Sequence, residues 1–181
     1  MKNLHSTVLF TILAVQTSFV SAGSNHDHPH THADGQSHSH KHDYKTPHAG
    51  IEKPLWGLDG IEAYVELKLH DDKGDLELWL TNWKEITPYD LPLGTQITVT
   101  FTELENKTVE LNVRNKAKNE DEDGQVNIRD NKTNYFIFPG DTGVDASFLI
   151  GKGFSSDVIV SFEIDGVRYA TSSFTLTPHT H

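Results

Sequence analysis

The residues with the clearest chemistry are histidines crowded into one short polar segment near the start of the chain. Neutral imidazole is the commonest protein ligand for divalent transition metals. Alternate residues of an extended chain project to the same side, so a His-x-His pair can bring two imidazoles to one ion. The acidic side chains Asp27, Asp34 and Asp43 could add oxygen ligands or support the imidazoles. We therefore expect metal capture by eight histidines: His26, His28, His30, His32, His38, His40, His42 and His48.

Further candidate ligands lie outside this segment. His179 and His181 form another His-x-His pair at the C-terminal end, which we interpret as an accessory site. His70 precedes Asp71-Asp72, and such a histidine is commonly a solvated turn residue. If the preceding linker folds back on this edge, however, His48, His70 and Asp72 would form a more ordered metal site.

An acidic stretch resembles a calcium loop in its spacing. Residues 119–130 place oxygen-bearing side chains at positions 1, 3 and 5, a glycine at position 6 and a carboxylate at position 12. It departs from the pattern at Asn119, where aspartate is usual, and at Asp130, where the longer glutamate is usual. The segments on either side of it are also predicted to be strands and not helices. An acidic solvated hairpin is the alternative, with Ca(II) binding as the less favoured interpretation.

Composition narrows the choice of metal and partner. The chain has no cysteine, one methionine and a formal net charge of -11. Thiolate sites and methionine-rich Cu(I) sites are excluded, which leaves Zn(II) as the first expectation and Cu(II) or Ni(II) as alternatives. No basic patch is visible, so nucleic-acid binding is not expected.

The chain divides into four predicted parts. Residues 1–22 have a basic start, an apolar run and a small residue, Ala22, before the expected cleavage point, which predicts a secretory signal peptide. Residues 23–60 are polar and predicted to be a disordered metal-binding segment and linker. Residues 61–176 are predicted to form the folded domain, and 177–181 a histidine-containing tail. We expect a periplasmic or secreted protein without a membrane span.

The folded domain is expected to be all-β. Apolar and polar residues alternate over Ile61–Leu69 and again over Leu76–Leu80, which predicts a hairpin with one buried face. Asp165-Gly166 between two alternating runs predicts a second hairpin with a type I′ turn, and a short strand is expected near Ala146–Ile150. No sustained helical period occurs. Seven to nine strands predict a single β-sandwich of immunoglobulin-like architecture, with a small barrel as the alternative.

The layout resembles small secreted bacterial proteins that combine a histidine-rich leader, a Pro-His-x-Gly turn and one β-domain. The resemblance rests on the His26–His42 run, on Pro47-His48-Ala49-Gly50 and on the strand Ile61–Leu69. Related proteins tend to have Gly-Gly after that histidine, whereas this chain has Ala49-Gly50. The resemblance implies metal buffering or delivery in the periplasm, in association with heavy-metal efflux or zinc uptake.

Two functions follow from these observations. The first is binding, buffering or delivery of a divalent metal, with a metal transporter or efflux component as the partner. The second is a protein- or glycan-interaction module with an incidental histidine tract, in which Trp56, Trp79, Trp83 and Tyr89 could form a carbohydrate platform. We expect no enzymatic activity, because nucleophile and catalytic-metal motifs are missing.

Overall fold

The structure is a computed structural model that describes residues 46–82 and 87–179. The predicted signal peptide, the histidines from 26 to 42, the nearby aspartates 27, 34 and 43, Trp83 and His181 lie outside these residues.

The described part of the chain is built from β-strands and contains no α-helix, which confirms the all-β prediction. Four of its twelve strands have only two or three residues. The strands are β1 (Ile51–Gly57), β2 (Gly60–Leu69), β3 (Leu76–Thr81), β4 (Leu91–Pro92), β5 (Ile97–Phe101), β6 (Lys107–Leu111), β7 (Ile128–Arg129), β8 (Lys132–Thr133), β9 (Tyr135–Phe138), β10 (Ser156–Ile164), β11 (Val167–Thr171) and β12 (Phe174–Leu176). Two short 3-10 helices cover Gly140–Thr142 and Ser147–Leu149.

One large antiparallel sheet dominates the domain. Its strand order is β6-β5-β10-β11-β1-β2-β3-β9, and β12 pairs with β10. The two ends of this order meet just after β6, where Asn112 and Ile137 exchange two N–H···O bonds of 3.0 and 2.8 Å between nitrogen and oxygen. The sheet is therefore nearly closed on itself. A small second sheet has the order β4-β8-β7.

The hydrophobic core lies inside this curved sheet and follows the period-two pattern of the sequence. Leu67 of β2, Leu78 of β3 and Val160 of β10 are fully buried there. The predicted turn between β10 and β11 is present, with φ of 51° at Asp165 and 77° at Gly166, as a type I′ turn requires.

Two segments differ from the prediction. The domain begins earlier than residue 61, because residues 51–57 form β1 rather than linker. Pro54 interrupts the apolar pattern there, but β1 pairs with β11 only at Leu55 and Trp56, so Pro54 has a neighbour on one side only and is tolerated. The prediction of a strand near Ala146–Ile150 is wrong, because Ser147–Leu149 forms a 3-10 helix.

The outer face of β2 and β3 is buried as well as the inner one. Trp79, Tyr135 and Ile137 form a second apolar cluster on this face. Beside it, Glu66, Lys68 and Glu77 are each less than a tenth exposed. The turn at residues 46–50 and the loop at 112–127 cover this face, and the candidate site lies beneath them.

Candidate metal centre

His70, Glu77 and Glu122 bring three potential ligand atoms together at one edge of this outer face. The atoms all lie within 4.8 Å of one another. His70 Nε2 is 2.9 Å from Glu77 Oε2 and 3.2 Å from Glu122 Oε2. Ligands about 2.0–2.2 Å from a zinc ion are themselves roughly 3.5 Å apart, so small side-chain movements would suffice to place all three around one ion.

The β2–β3 hairpin fixes two of these three groups. Leu69 pairs with Leu76, and the alternation that directs both into the core directs His70 and Glu77 to the outer face. The connecting turn is closed by hydrogen bonds from the N–H of His70 to the carbonyl of Asp75 and from the N–H of Gly74 to the carbonyl of His70, both 2.9 Å. Gly74 has φ of 74°, and a Cβ there would lie 2.5 Å from the carbonyl oxygen of Ala146, so only glycine fits.

The third group, Glu122, comes from the loop at residues 118–127. Asp121 organises this loop: its carboxylate accepts hydrogen bonds from the N–H of Asp123 (3.1 Å), the N–H of Gln125 (2.8 Å) and the amide of Asn127 (3.1 Å). These bonds fix the conformation of the loop, so that the carboxylate of Glu122 reaches His70 although its side chain is partly exposed to solvent.

The same bonds bear on the calcium-loop interpretation of residues 119–130. The side-chain oxygen of Asn119 accepts the N–H of Arg114 at 2.8 Å, and both oxygens of Asp121 are used within the loop. The oxygens at positions 1 and 3 are thus occupied by the protein itself. This geometry favours the alternative, an acidic hairpin.

Charged and polar neighbours hold the three groups in place. The Glu77 carboxylate accepts a hydrogen bond from the buried Tyr135 hydroxyl through its second oxygen. The ammonium group of Lys68, itself buried, forms an ion pair with Glu122. Arg114, Asp72 and Asp75 line a cavity of about 400 Å³ that also includes His70, Glu77 and Glu122.

The titration behaviour of the site follows from these contacts. The hydrogen bond to Glu77 raises the pKa of His70, and the negative charge of Glu122 acts in the same direction. Burial acts to raise the pKa of Glu77, but the hydrogen bonds from His70 and Tyr135 outweigh it, so that pKa is lowered. Burial, together with the charge of Glu77, strongly raises the pKa of Tyr135, which therefore stays protonated. Glu77 is thus an ionised carboxylate, ready to pair with a cation.

The set of donor atoms suits a divalent transition metal. One imidazole nitrogen and two carboxylate oxygens are ligands of Zn(II) and its neighbours, whereas soft Cu(I) would require sulfur. The cavity carries five carboxylates against two basic side chains, which favours a cation. Those lining carboxylates and basic groups are Asp72, Asp75, Glu77, Asp121, Glu122, Lys73 and Arg114.

His48, predicted as a ligand, has a different position. Its ring stacks on Trp79, with ring centroids 4.0 Å apart and planes inclined by 3°. The linker does fold back on the β2 edge, but His48 does not join the group formed by His70, and Asp72 lines the cavity without belonging to that group.

The turn that carries His48 is held by a buried carboxylate. Glu66, only 2% exposed, accepts the N–H groups of His48 and Gly50 through one oxygen, at 2.9 and 2.8 Å. A Cβ at position 50 would lie 2.9 Å from both Glu66 Cγ and the Leu67 carbonyl oxygen. Hydrogen bonds to Glu66 thus anchor the Pro-His-x-Gly turn to the outer face of β2.

The C-terminal pair is partly described. The N–H of His179 donates to the carbonyl of Leu69 at 2.8 Å, and His179 forms a parallel bridge with His70. His179, predicted as part of an accessory site, thus lies beside the candidate site in the sheet. The possible carbohydrate platform is not assembled in the described residues, because Trp79 is only 2% exposed and one face of its ring contacts His48.

Sequence reasoning identified His70 but missed Glu77 and Glu122. Glu77 alternates with core leucines and looked like an ordinary solvent-facing residue of a hairpin. The register of the hairpin could have revealed this contact. Glu77 lies opposite Lys68 and is therefore a diagonal cross-strand neighbour of His70. Glu122 is 52 residues from His70 in the sequence, and no local pattern connects them.

Within the described ranges, no helix is long and apolar enough to span a membrane. No protein-family model matches this chain, and neither a curated protein nor a solved structure is similar enough to count as a match.

Proposed function

We propose that this protein binds divalent transition metal ions, with zinc as the first candidate, in the periplasm or outside the cell. The observation that carries the proposal is the convergence of His70, Glu77 and Glu122, whose ligand atoms lie within 4.8 Å of one another. Two of these residues are almost fully buried. Buried charged groups are costly unless they are paired or coordinate a metal, and a divalent ion would neutralise both carboxylates at once.

The histidine-rich segment supports the same function by its composition. Its closely spaced imidazoles, from His26 to His42, would hold several ions with little selectivity, because neighbouring His-x-His pairs offer many equivalent sets of ligands. The ordered site differs in kind, since the fold has already positioned its ligands. We infer that the segment buffers metal and that the folded domain holds a single ion more selectively.

Delivery to a metal transporter or an efflux component is the biological role that best fits such a pair of sites. The acidic domain would also concentrate cations near its surface, because the chain has a formal net charge of -11. Zinc is preferred over copper for the ordered site because two of its three ligands are carboxylates, whereas Cu(II) favours nitrogen-rich sets with square geometry.

Calorimetric titration with zinc at about pH 7.5, where an unperturbed imidazole is largely neutral, tests this proposal, and zinc binding displaces any proton that remains on His70. The background should be the full chain with the seven histidines from 26 to 42 replaced by asparagine, so that the ordered site is observed alone. We expect this background to bind one zinc ion per chain, and His70→Ala or Glu77→Gln to abolish that binding.

His48→Gln is the matched control, because it replaces a histidine that stacks on Trp79 and lies outside the cluster. It should leave zinc binding unchanged. Near-ultraviolet circular dichroism of each variant in chelator shows whether it is folded. The proposal fails for the ordered site if the background binds no zinc, or if His70→Ala binds as the background does.

A further inference from the structure

The C-terminal tail takes a strand position beside the candidate metal centre. Beyond β12 the chain leaves β10 and reaches the edge of β2, where the N–H of His179 donates to the carbonyl of Leu69 at 2.8 Å. There His179 and His70 are paired as a parallel bridge. β1 begins opposite Leu67, at Ile51, so the tail occupies the sheet position that β1 leaves open next to the end of β2.

This pairing has a consequence for the two side chains. Residues paired across neighbouring strands project to the same face of a sheet, and neighbouring strands lie about 4.8 Å apart. His70 projects to the outer face, toward Glu77 and Glu122. His179, half-buried, is therefore placed on the same face, one strand spacing from His70.

We propose that His179 is the fourth protein ligand of the metal centre, completing a set of two imidazoles and two carboxylates. This inference rests on the proposed function, because it requires an ion at the centre. The backbone of His179 is already held beside His70 by its hydrogen bond to Leu69. Four protein ligands would complete the tetrahedral coordination that zinc prefers.

The second imidazole changes what the site selects. With one nitrogen and two oxygens, the centre would discriminate only modestly against Ca(II) and Mg(II), which prefer oxygen ligands. A second imidazole favours Zn(II), Cu(II) and Ni(II) over those two ions. An ion bound by His179 would also tie the segment 177–179 to the edge of β2.

The experiment compares zinc affinities, by competition with a chromophoric chelator, in the full chain with asparagine at the seven positions 26–42. Its variants are His179→Ala, His181→Ala and His70→Ala. We expect His179→Ala to weaken zinc binding by at least about tenfold, the loss that follows even from removing a group that merely supports a ligand. His181→Ala should leave the affinity within about twofold, and His70→Ala should remove binding.

Two further measurements separate a ligand from a merely structural residue. Co(II) bound to the background should give the intense visible absorption of a four-coordinate site, and this should weaken in His179→Ala. Urea unfolding in chelator should show that His179→Ala is as stable as its background.

The outcomes distinguish this inference from the proposed function. If His179→Ala binds zinc and Co(II) as the background does while His70→Ala does not, His179 is not a ligand and the proposed function stands. If His181→Ala causes the loss instead, the assignment to His179 is overturned. If neither His70→Ala nor His179→Ala changes binding, the ordered centre itself is wrong.

Discussion

Ala49 and Gly50 show how two neighbouring positions of one turn favour glycine for different reasons. Ala49 has φ of 59°, a left-handed conformation that glycine adopts without cost. Gly50 has no space for a Cβ, which would press on Glu66 and on the Leu67 backbone. The Gly-Gly expected from the resemblance would therefore suit both positions, the first through its conformation and the second through the lack of space.

A matched pair of substitutions tests this account of the turn. Ala49→Gly should raise the free energy of unfolding by about 0.5–1 kcal/mol, because it relieves roughly 1–2 kcal/mol of strain and gives the unfolded chain more freedom. Gly50→Ala should lower it by about 1–3 kcal/mol through overpacking. Urea unfolding of the two variants and the parent measures both effects. Equal changes from the two substitutions would contradict the assigned geometry.

The protonation of His70 predicts how the stability of the metal-free protein depends on pH. Its pKa is raised in the folded state, so its contribution is complete below the unfolded value of about 6.5 and is lost as the pH rises through the folded value. The pKa of Glu77 is lowered, so its contribution is present above about 4.5 and is lost as the pH falls through the folded value. The pair therefore stabilises the fold most between about pH 4.5 and 6.5.

We expect the free energy of unfolding in chelator to decrease as the pH rises above about 6.5. The decrease should be smaller in His70→Gln, which cannot titrate, and in Glu77→Gln, which removes the partner that raises the pKa of His70. Urea titrations at several pH values measure these slopes. An identical slope in the parent and His70→Gln would rule out His70 as the titrating group.

Strands and loops differed in how far the sequence predicted them. The β2–β3 and β10–β11 hairpins follow from alternation and turn residues, because both signals are local. β1 was missed because Pro54 and the polar residues around it look like linker, and its pairing with β2 becomes clear only in the folded sheet. The second buried face of β2 and β3 could not be foreseen, since it depends on covering segments from distant parts of the chain.

The loop at residues 118–127 is the element on which the candidate site most depends. Asp121 is not in the ligand cluster, yet three hydrogen bonds to its carboxylate hold the loop that presents Glu122. We expect Asp121→Ala to weaken zinc binding by about 10–100-fold, as removal of a supporting group commonly does. Glu120→Ala, a neighbouring carboxylate without these bonds, is the control. Competition titrations measure the zinc affinity of both variants. Equal affinities of Asp121→Ala and Glu120→Ala would mean that the loop does not position Glu122.

The candidate metal centre joins parts of the sequence that are far apart. His70 and Glu77 come from one hairpin and Glu122 from a loop some fifty residues later, while the tail returns to the same edge at His179. An ion held at this point would link these segments in the folded state, whereas the unfolded chain would separate its ligands. Metal binding and folding should therefore be coupled.

Zinc should thus stabilise the full chain with asparagine at the seven positions 26–42, by an amount fixed by the zinc concentration and the dissociation constant. At free zinc one hundred times the dissociation constant, the gain is about 2.7 kcal/mol, and chelator should reverse it. Thermal unfolding with and without zinc measures this gain, and His70→Ala should show almost none. If the unfolded chain bound zinc more tightly than the folded chain, through its scattered histidines, adding zinc would lower the stability instead of raising it. A fall in the unfolding temperature on adding zinc would therefore show that the folded domain offers no ordered centre, because a preformed set of ligands must favour the native state.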